Sequence, residues 1–107
     1  MINYPSNNWN FAGIMDTAST NYKYEVILQN KATDSLAFIK FGRTNQLHYR
    51  DTTGLNTYAY MNHNNLEKRR RFILDKTFDI RAGYFNETYF EMKYLYNFDF
   101  FLIKSNV

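Results

Sequence analysis

The chain has no cysteine, a single proline and only four glycines in 107 residues. Without cysteine there are no disulfides, iron–sulfur clusters or thiolate zinc sites, and a cytosolic or virion setting fits better than a secretory one. No run approaches the roughly 18 apolar residues of a membrane-spanning helix. The tail YLYNFDFFLI is apolar, but it is short and interrupted by Asn97 and Asp99. The opening MINYPSNNWNFAG lacks both a basic region and a continuous apolar run, so it does not read as a secretory signal. Strong charge is missing as well. The formal net charge is +3, modest for a protein that lives by phosphate contacts.

What is there is aromatic. Ten Tyr, ten Phe and one Trp supply much of the burial that Val and Ala supply elsewhere. Such side chains bury large areas with few rotatable bonds, which suits a small core and equally suits surfaces that dock on other proteins. Asparagine runs, together with Lys, Tyr, Phe and Ile, point to an AT-rich coding genome. The length allows one domain.

Residues 1–21 show no periodicity and are rich in Asn, Ser and Thr. A solvated tail rarely spends a Trp and a Phe, so Trp9 and Phe11 imply an extended arm that packs on its own body or on a neighbour. NYKYEVILQN reads as a strand with Tyr22, Tyr24, Val26 and Leu28 on one side and Lys23, Glu25 and Gln29 mainly opposite. KATDS supplies the turn and LAFIKFG the returning strand, giving a β-hairpin. Gly42 marks a sharp bend at its end. Asp51-Thr52-Thr53-Gly54 is a turn signal.

HNNLEKRRRFIL carries the clearest helix. Asn64 reads as its cap, with Glu67 three residues on completing a capping-box pair. Phe85, Tyr89, Met92 and Tyr96 recur at helical spacing, while from Met92 onward the alternation Met92, Tyr94, Tyr96, Phe98, Phe100 suits a strand equally well. A second helix is expected over roughly 84–95, followed by an extended tail. The expected architecture is α+β. A β-hairpin packs with two short helices in a domain over 22–96, flanked by an extended N-terminal arm (1–21) and a C-terminal tail (97–107).

The two histidines, His48 and His63, are the conventional general-base candidates, and His48 with Asp51 has the composition of a water-activating pair. No nucleophile or phosphate-binding glycine loop accompanies them, and two histidines with scattered carboxylates make a poor metal set. The expected role of His48, His63 and Asn64 is therefore hydrogen bonding within a loop-rich region. No catalytic residue, metal site or cofactor is expected.

The arginines split by helical spacing. Arg69 and Arg70 lie three and four residues after Leu66, on the apolar stripe, whereas Lys68 and Arg71 point elsewhere. A buried arginine needs a partner, so Asp51 is the expected counter-ion of Arg69 or Arg70 in a structural ion-pair latch. Lys68, Arg71 and Lys76 remain outside as candidates for a weak nucleic-acid contact. The local excess of Lys and Arg between Lys40 and Arg81 is consistent with that.

FG at 41–42, HYRDTTGL at 48–55, HNNLEKRR at 63–70 and AGYF through YLY from 82 to 96 together resemble a family of small uncharacterised proteins. These are encoded by large DNA viruses of protists and some marine phages. The resemblance covers roughly residues 24–96. It carries over to Phe41, Gly42, His48, Tyr49, Asp51, Gly54, His63, Asn64, Arg69, Arg70, Gly83, Phe85 and Leu95. It departs where FILDKT replaces an Arg-His pair and where Tyr96 stands in place of Trp. The resemblance implies a viral origin. The expected function is then a non-enzymatic structural protein of the virion, a minor capsid or cementing component, present in host cytoplasm during assembly. Its partners would be other virion proteins, met through Trp9, Phe11, Phe98, Phe100 and Phe101. The alternatives are a small basic nucleic-acid-associated viral protein and, from composition alone, a subunit of another large assembly such as an organellar ribosome.

Overall fold

Tyr24, Val26 and Leu28 alternate along one strand with no solvent exposure at all, and the molecule is built around them. In the computed structural model, which describes residues 1–98, this strand is β3 (Tyr22–Asn30). It is the centre of a three-stranded antiparallel sheet in the order β2-β3-β4, with β2 at Trp9–Asp16 and β4 at Leu36–Arg43. The expected hairpin is β3–β4. In its turn, the Asn30 side chain accepts from the Ala32 and Thr33 amides, and Asp34 takes a positive φ of 61°.

The N-terminal segment packs on its own body, one of the two seats expected for it. Tyr4–Pro5 forms a short strand, β1, and Trp9–Asp16 is the third strand of the sheet. Its alternation was invisible because the register shifts between Phe11 and Gly13. Phe11 pairs with Leu28 and Ile14 with Val26, so inward positions lie three residues apart instead of two.

Two helices follow, α1 (Leu66–Lys76) and α2 (Glu87–Leu95). The cap of α1 is Asn65, one residue later than expected, and its side chain accepts from the Lys68 amide at 3.0 Å. Asn64 instead turns the chain with a φ of 54°. Glu67 therefore misses the capping-box position and pairs with Arg71 at 3.5 Å. α2 begins later than expected because Tyr84–Phe85 forms a strand, β5, antiparallel to β1. Asn86 caps α2 from a fully buried position, accepting from the Tyr89 amide and donating to Asn3 Oδ1 and the Asp79 carbonyl.

Phe90 and Leu95 of α2 pack into the cluster formed by Tyr24, Val26, Leu28, Ile39 and Phe41. Gly42, at a φ of 75°, is required twice over. Its backbone lies in the left-handed region, and a Cβ there would stand 2.8 Å from Leu95 Cδ1. The segment between β4 and α1 is sewn to the end of α2, where helical carbonyls lack internal partners. Arg50 N–H donates to the Leu95 carbonyl at 3.0 Å, and Thr52 N–H to that of Tyr94 at 2.8 Å. The architecture is α+β.

Candidate functional site

Lys23, assigned by alternation to the polar side of its strand, is buried, with 2 % exposure. It lies across from Gly42, where the pleat breaks and the following loop folds over it. Its ammonium donates to the Gln46 carbonyl at 2.6 Å and to His48 Nδ1 at 2.9 Å. With Nδ1 accepting, the imidazole proton sits on Nε2, which donates to Asn62 Oδ1 at 2.6 Å. The same Asn62 oxygen accepts from the Asp51 amide at 2.8 Å. On its far side, the Asp51 carboxylate accepts from the Tyr24 hydroxyl and from both the amide and the hydroxyl of Thr53. Lys23 and Asp51 thus form a buried pair of opposite charges joined through two neutral side chains.

Burial sets the proton affinities along this chain. It lowers the Lys23 pKa to about 8, against the opposing pull of Glu91 and Asp51. It lowers that of His48 to about 4, with the Lys23 charge adding to the effect. It raises the Tyr24 hydroxyl to about 12, with the Asp51 hydrogen bond acting in the same direction. At neutral pH the imidazole is uncharged and has both nitrogens engaged. His48 is also 1 % exposed. The arrangement orders the loop over 46–62 and presents no base to a molecule outside.

His48 bonds the side chains of Lys23 and Asn62, whereas His63 Nδ1 accepts from the Asn65 amide at 2.9 Å. Asn64 Oδ1 accepts from Arg50 Nε at 3.1 Å. The expected Asp51–arginine latch is replaced. Tyr24 and Thr53 occupy the Asp51 carboxylate, and Arg69 reaches across to donate to the carbonyls of Tyr96 at 2.6 Å and Asn97 at 2.9 Å. Its guanidinium also lies 5.5 Å over the Tyr49 ring. Arg70 is exposed, as are Lys68, Arg71 and Lys76.

Between the helices lies a groove of about 490 Å³ lined by Arg43, Phe72, Lys76, Glu87, Glu91 and Tyr96, among others. Burial raises the Glu91 pKa to about 7, and repulsion from Glu87 adds to it against Lys76, Lys23 and Arg43. Glu91 thus retains its proton for part of the time at neutral pH. Among the described residues, no group of three or more His, Asp or Glu side chains is placed to hold a metal ion. Nor is any helix there long and apolar enough to cross a membrane.

Among the aromatic residues expected to reach partners, Trp9 and Phe98 are half-buried, whereas Phe11 remains 43 % exposed beside the core. Trp9 packs edge-on against Tyr4 at 5.2 Å, and the Phe11 ring centroid is 6.1 Å from that of Phe90. Phe98 is half-buried and its amide donates to the Met92 carbonyl at 3.0 Å. Phe100 and Phe101 lie outside the described residues.

The apolar surface is elsewhere. On the sheet face opposite the core, register places Gly13, Ile27 and Phe38 in one row across the three strands. Met15, Glu25 and Lys40 form the row on one side, and Asn10, Gln29 and Leu36 the row on the other. Phe38 is 50 % and Leu36 54 % exposed. A half-solvated antiparallel sheet ordinarily alternates apolar inside with polar outside, and here Ile27, Leu36 and Phe38 depart from that among Asn10, Glu25, Gln29 and Lys40. The missed signal was the register of Ile27, which shares the face of Glu25 and Gln29 and meets Phe38 across the hairpin.

No protein-family model, curated protein or solved structure matches the chain.

Proposed function

We propose that the protein is a non-enzymatic structural component of a virus particle, a minor capsid or cementing protein that works through protein–protein contacts. The observation that carries this is the outer face of the sheet, where exposed Leu36 and Phe38 and half-buried Ile27 interrupt the polar residues of a solvated face. Its occupant is a neighbouring protein subunit. The viral setting rests on the motifs FG, HYRDTTGL and HNNLEKRR.

Mass spectrometry of purified particles tests this directly. Presence at a fixed ratio to the major capsid protein, lost in Phe38→Lys, is the expected result; absence from particles overturns it. A second reading, nucleic-acid association, is favoured by the exposure of Lys68, Arg70 and Arg71 on α1. Tight binding to single- or double-stranded nucleic acid, falling steeply with salt and weakened by Arg70→Met, would move the assignment there.

A further inference from the structure

The segment between β4 and α1 is paired to itself at its two ends. His48 N–H donates to the Met61 carbonyl and His63 N–H to the His48 carbonyl, so the chain at 48 lies against the chain at 62. That junction rests on Lys23 of β3, through the 2.9 Å bond from its ammonium to His48 Nδ1. We propose that His48 is an acid-operated latch. Uptake of a proton by its imidazole lifts residues 46–62 off β3 while the sheet and α2 stay folded.

Geometry makes the latch conditional on charge. An ammonium has three donors and no acceptor, so His48 Nδ1 can receive it only as part of a neutral imidazole. Once Nδ1 carries a proton, two donors and two positive charges oppose each other in a buried place. The Nε2 bond to Asn62 Oδ1 survives, because that nitrogen donates in either state. The break therefore falls between the segment and β3, and the segment keeps its own pairing. The charged and titratable groups facing His48 are Lys23 from β3 and, from the segment itself, Asp51 and His63. From α2, Glu91 faces Lys23. Glu91 takes up its proton before His48 does, so acid first removes a counter-charge of Lys23 and then adds a like one.

The body can survive the departure. Among the described residues, the buried core cluster takes only Tyr49 from this segment, the others coming from β3, β4, α2 and Tyr96. The remaining ties across to the body are hydrogen bonds. The Tyr24 hydroxyl donates to Asp51 and accepts from the Tyr58 amide, and the Arg50 and Thr52 amides donate to the Leu95 and Tyr94 carbonyls. Released, His48 regains its ordinary affinity near 6.5, against about 4 in place. Opening should then grow by up to about tenfold for each pH unit across that interval.

Amide hydrogen exchange of the full chain from pH 6.5 down to about 4, corrected for the intrinsic effect of pH on exchange, is the test. The amides of Arg50, Thr52 and Tyr58 are expected to lose about tenfold or more in protection, while those of β3 and α2 hold theirs. His48→Gln should abolish the response, since its amide can accept from Lys23 and donate to Asn62 but takes up no proton. Lys23→Met should shrink it by removing the opposing charge, whereas a merely structural contact would loosen the segment equally at every pH. Pepsin in acid gives an independent reading, with first cuts inside 46–62 in the wild type and not in His48→Gln. Uniform loss of protection across segment, sheet and α2 would overturn the proposal. So would a segment equally protected at both ends of the range, or an acid response unchanged in His48→Gln or in Lys23→Met.

Discussion

α1 and α2 are built alike at their ends and differ in what holds them. Each is capped by an asparagine accepting from the third amide, and each carries an acid in its first turn and a lysine in its last. Yet α2 buries Thr88, Phe90, Met92 and Leu95, whereas α1 buries none of its residues. α2 is part of the core. α1 is attached from outside, by the Phe72 ring stacked at 3.7 Å on Tyr96 and by the Arg69 guanidinium on the last carbonyls beyond α2. The lesson concerns arginine. A cation placed on an apolar stripe need not seek a carboxylate, because the free carbonyls at a helix C-terminus are an alternative acceptor that favours positive charge.

The largest test of that contrast removes one side chain from each helix. Phe90→Ala should cost about 3–5 kcal/mol, since the ring is 1 % exposed and contacts Phe41, Phe85 and Tyr94. Leu74→Ala on α1, at a position 60 % exposed, should stay within about 0.5 kcal/mol. Urea melts of both variants read the difference. Equal losses would mean that α1 is as much a part of the core as α2.

A smaller effect comes from two titrating groups, Glu91 on α2 and His48 in the segment between β4 and α1. The folded pKa of His48, about 4, is below its ordinary 6.5. Between those values the unfolded chain binds more protons than the folded one, so this group makes stability rise with pH and fall as acid is added. Glu91 works the other way. Its folded pKa of about 7 exceeds the ordinary 4.5, so between those values the folded chain holds the extra proton and stability declines as pH rises. The two slopes oppose each other from about pH 4.5 to 6.5 and partly cancel there. Glu91→Gln should unmask a rising slope, and His48→Gln a falling one. Stability measured by denaturant at half-unit pH steps distinguishes them; the same slope in both variants would refute the assignment.

Much of this was legible in the residues. The hairpin over 22–43 could be read because its alternation is unbroken on the core side, and α1 because polar caps precede an apolar stripe. β2 could not, because a bulge between Phe11 and Gly13 destroys the period on which strand recognition depends. Lys23 was misplaced for a related reason. Alternation says which face a side chain leaves from, not what later covers that face, and the cover comes from a loop more than twenty residues away. Asp51 was expected to pair with Arg69 or Arg70, but its partners are Tyr24, a residue that the pattern marked only as apolar, and Thr53. The outer apolar bar escaped notice because Ile27 and Phe38 sit inside the short apolar runs VIL and LAFI, which hide the face each one leaves from.

The finest division lies within α1 itself, among three consecutive arginines. Arg69 makes two charge-assisted hydrogen bonds to main-chain carbonyls, and Arg69→Met should cost about 1–2 kcal/mol by leaving those acceptors to water. Arg70 is exposed, and Arg71 pairs only with Glu67 at a site where both side chains are more than 60 % exposed. Surface pairs of that kind contribute little. Arg70→Met and Arg71→Met should therefore shift stability by less than about 0.5 kcal/mol, in thermal melts where Arg69→Met is plainly displaced. A loss at Arg70 equal to that at Arg69 would place both guanidiniums against the body and would require α1 to be rotated from its present seat. A loss confined to Arg69 means that a single residue of the three ties the outer helix to the inner one, leaving its neighbours free for contacts with other molecules.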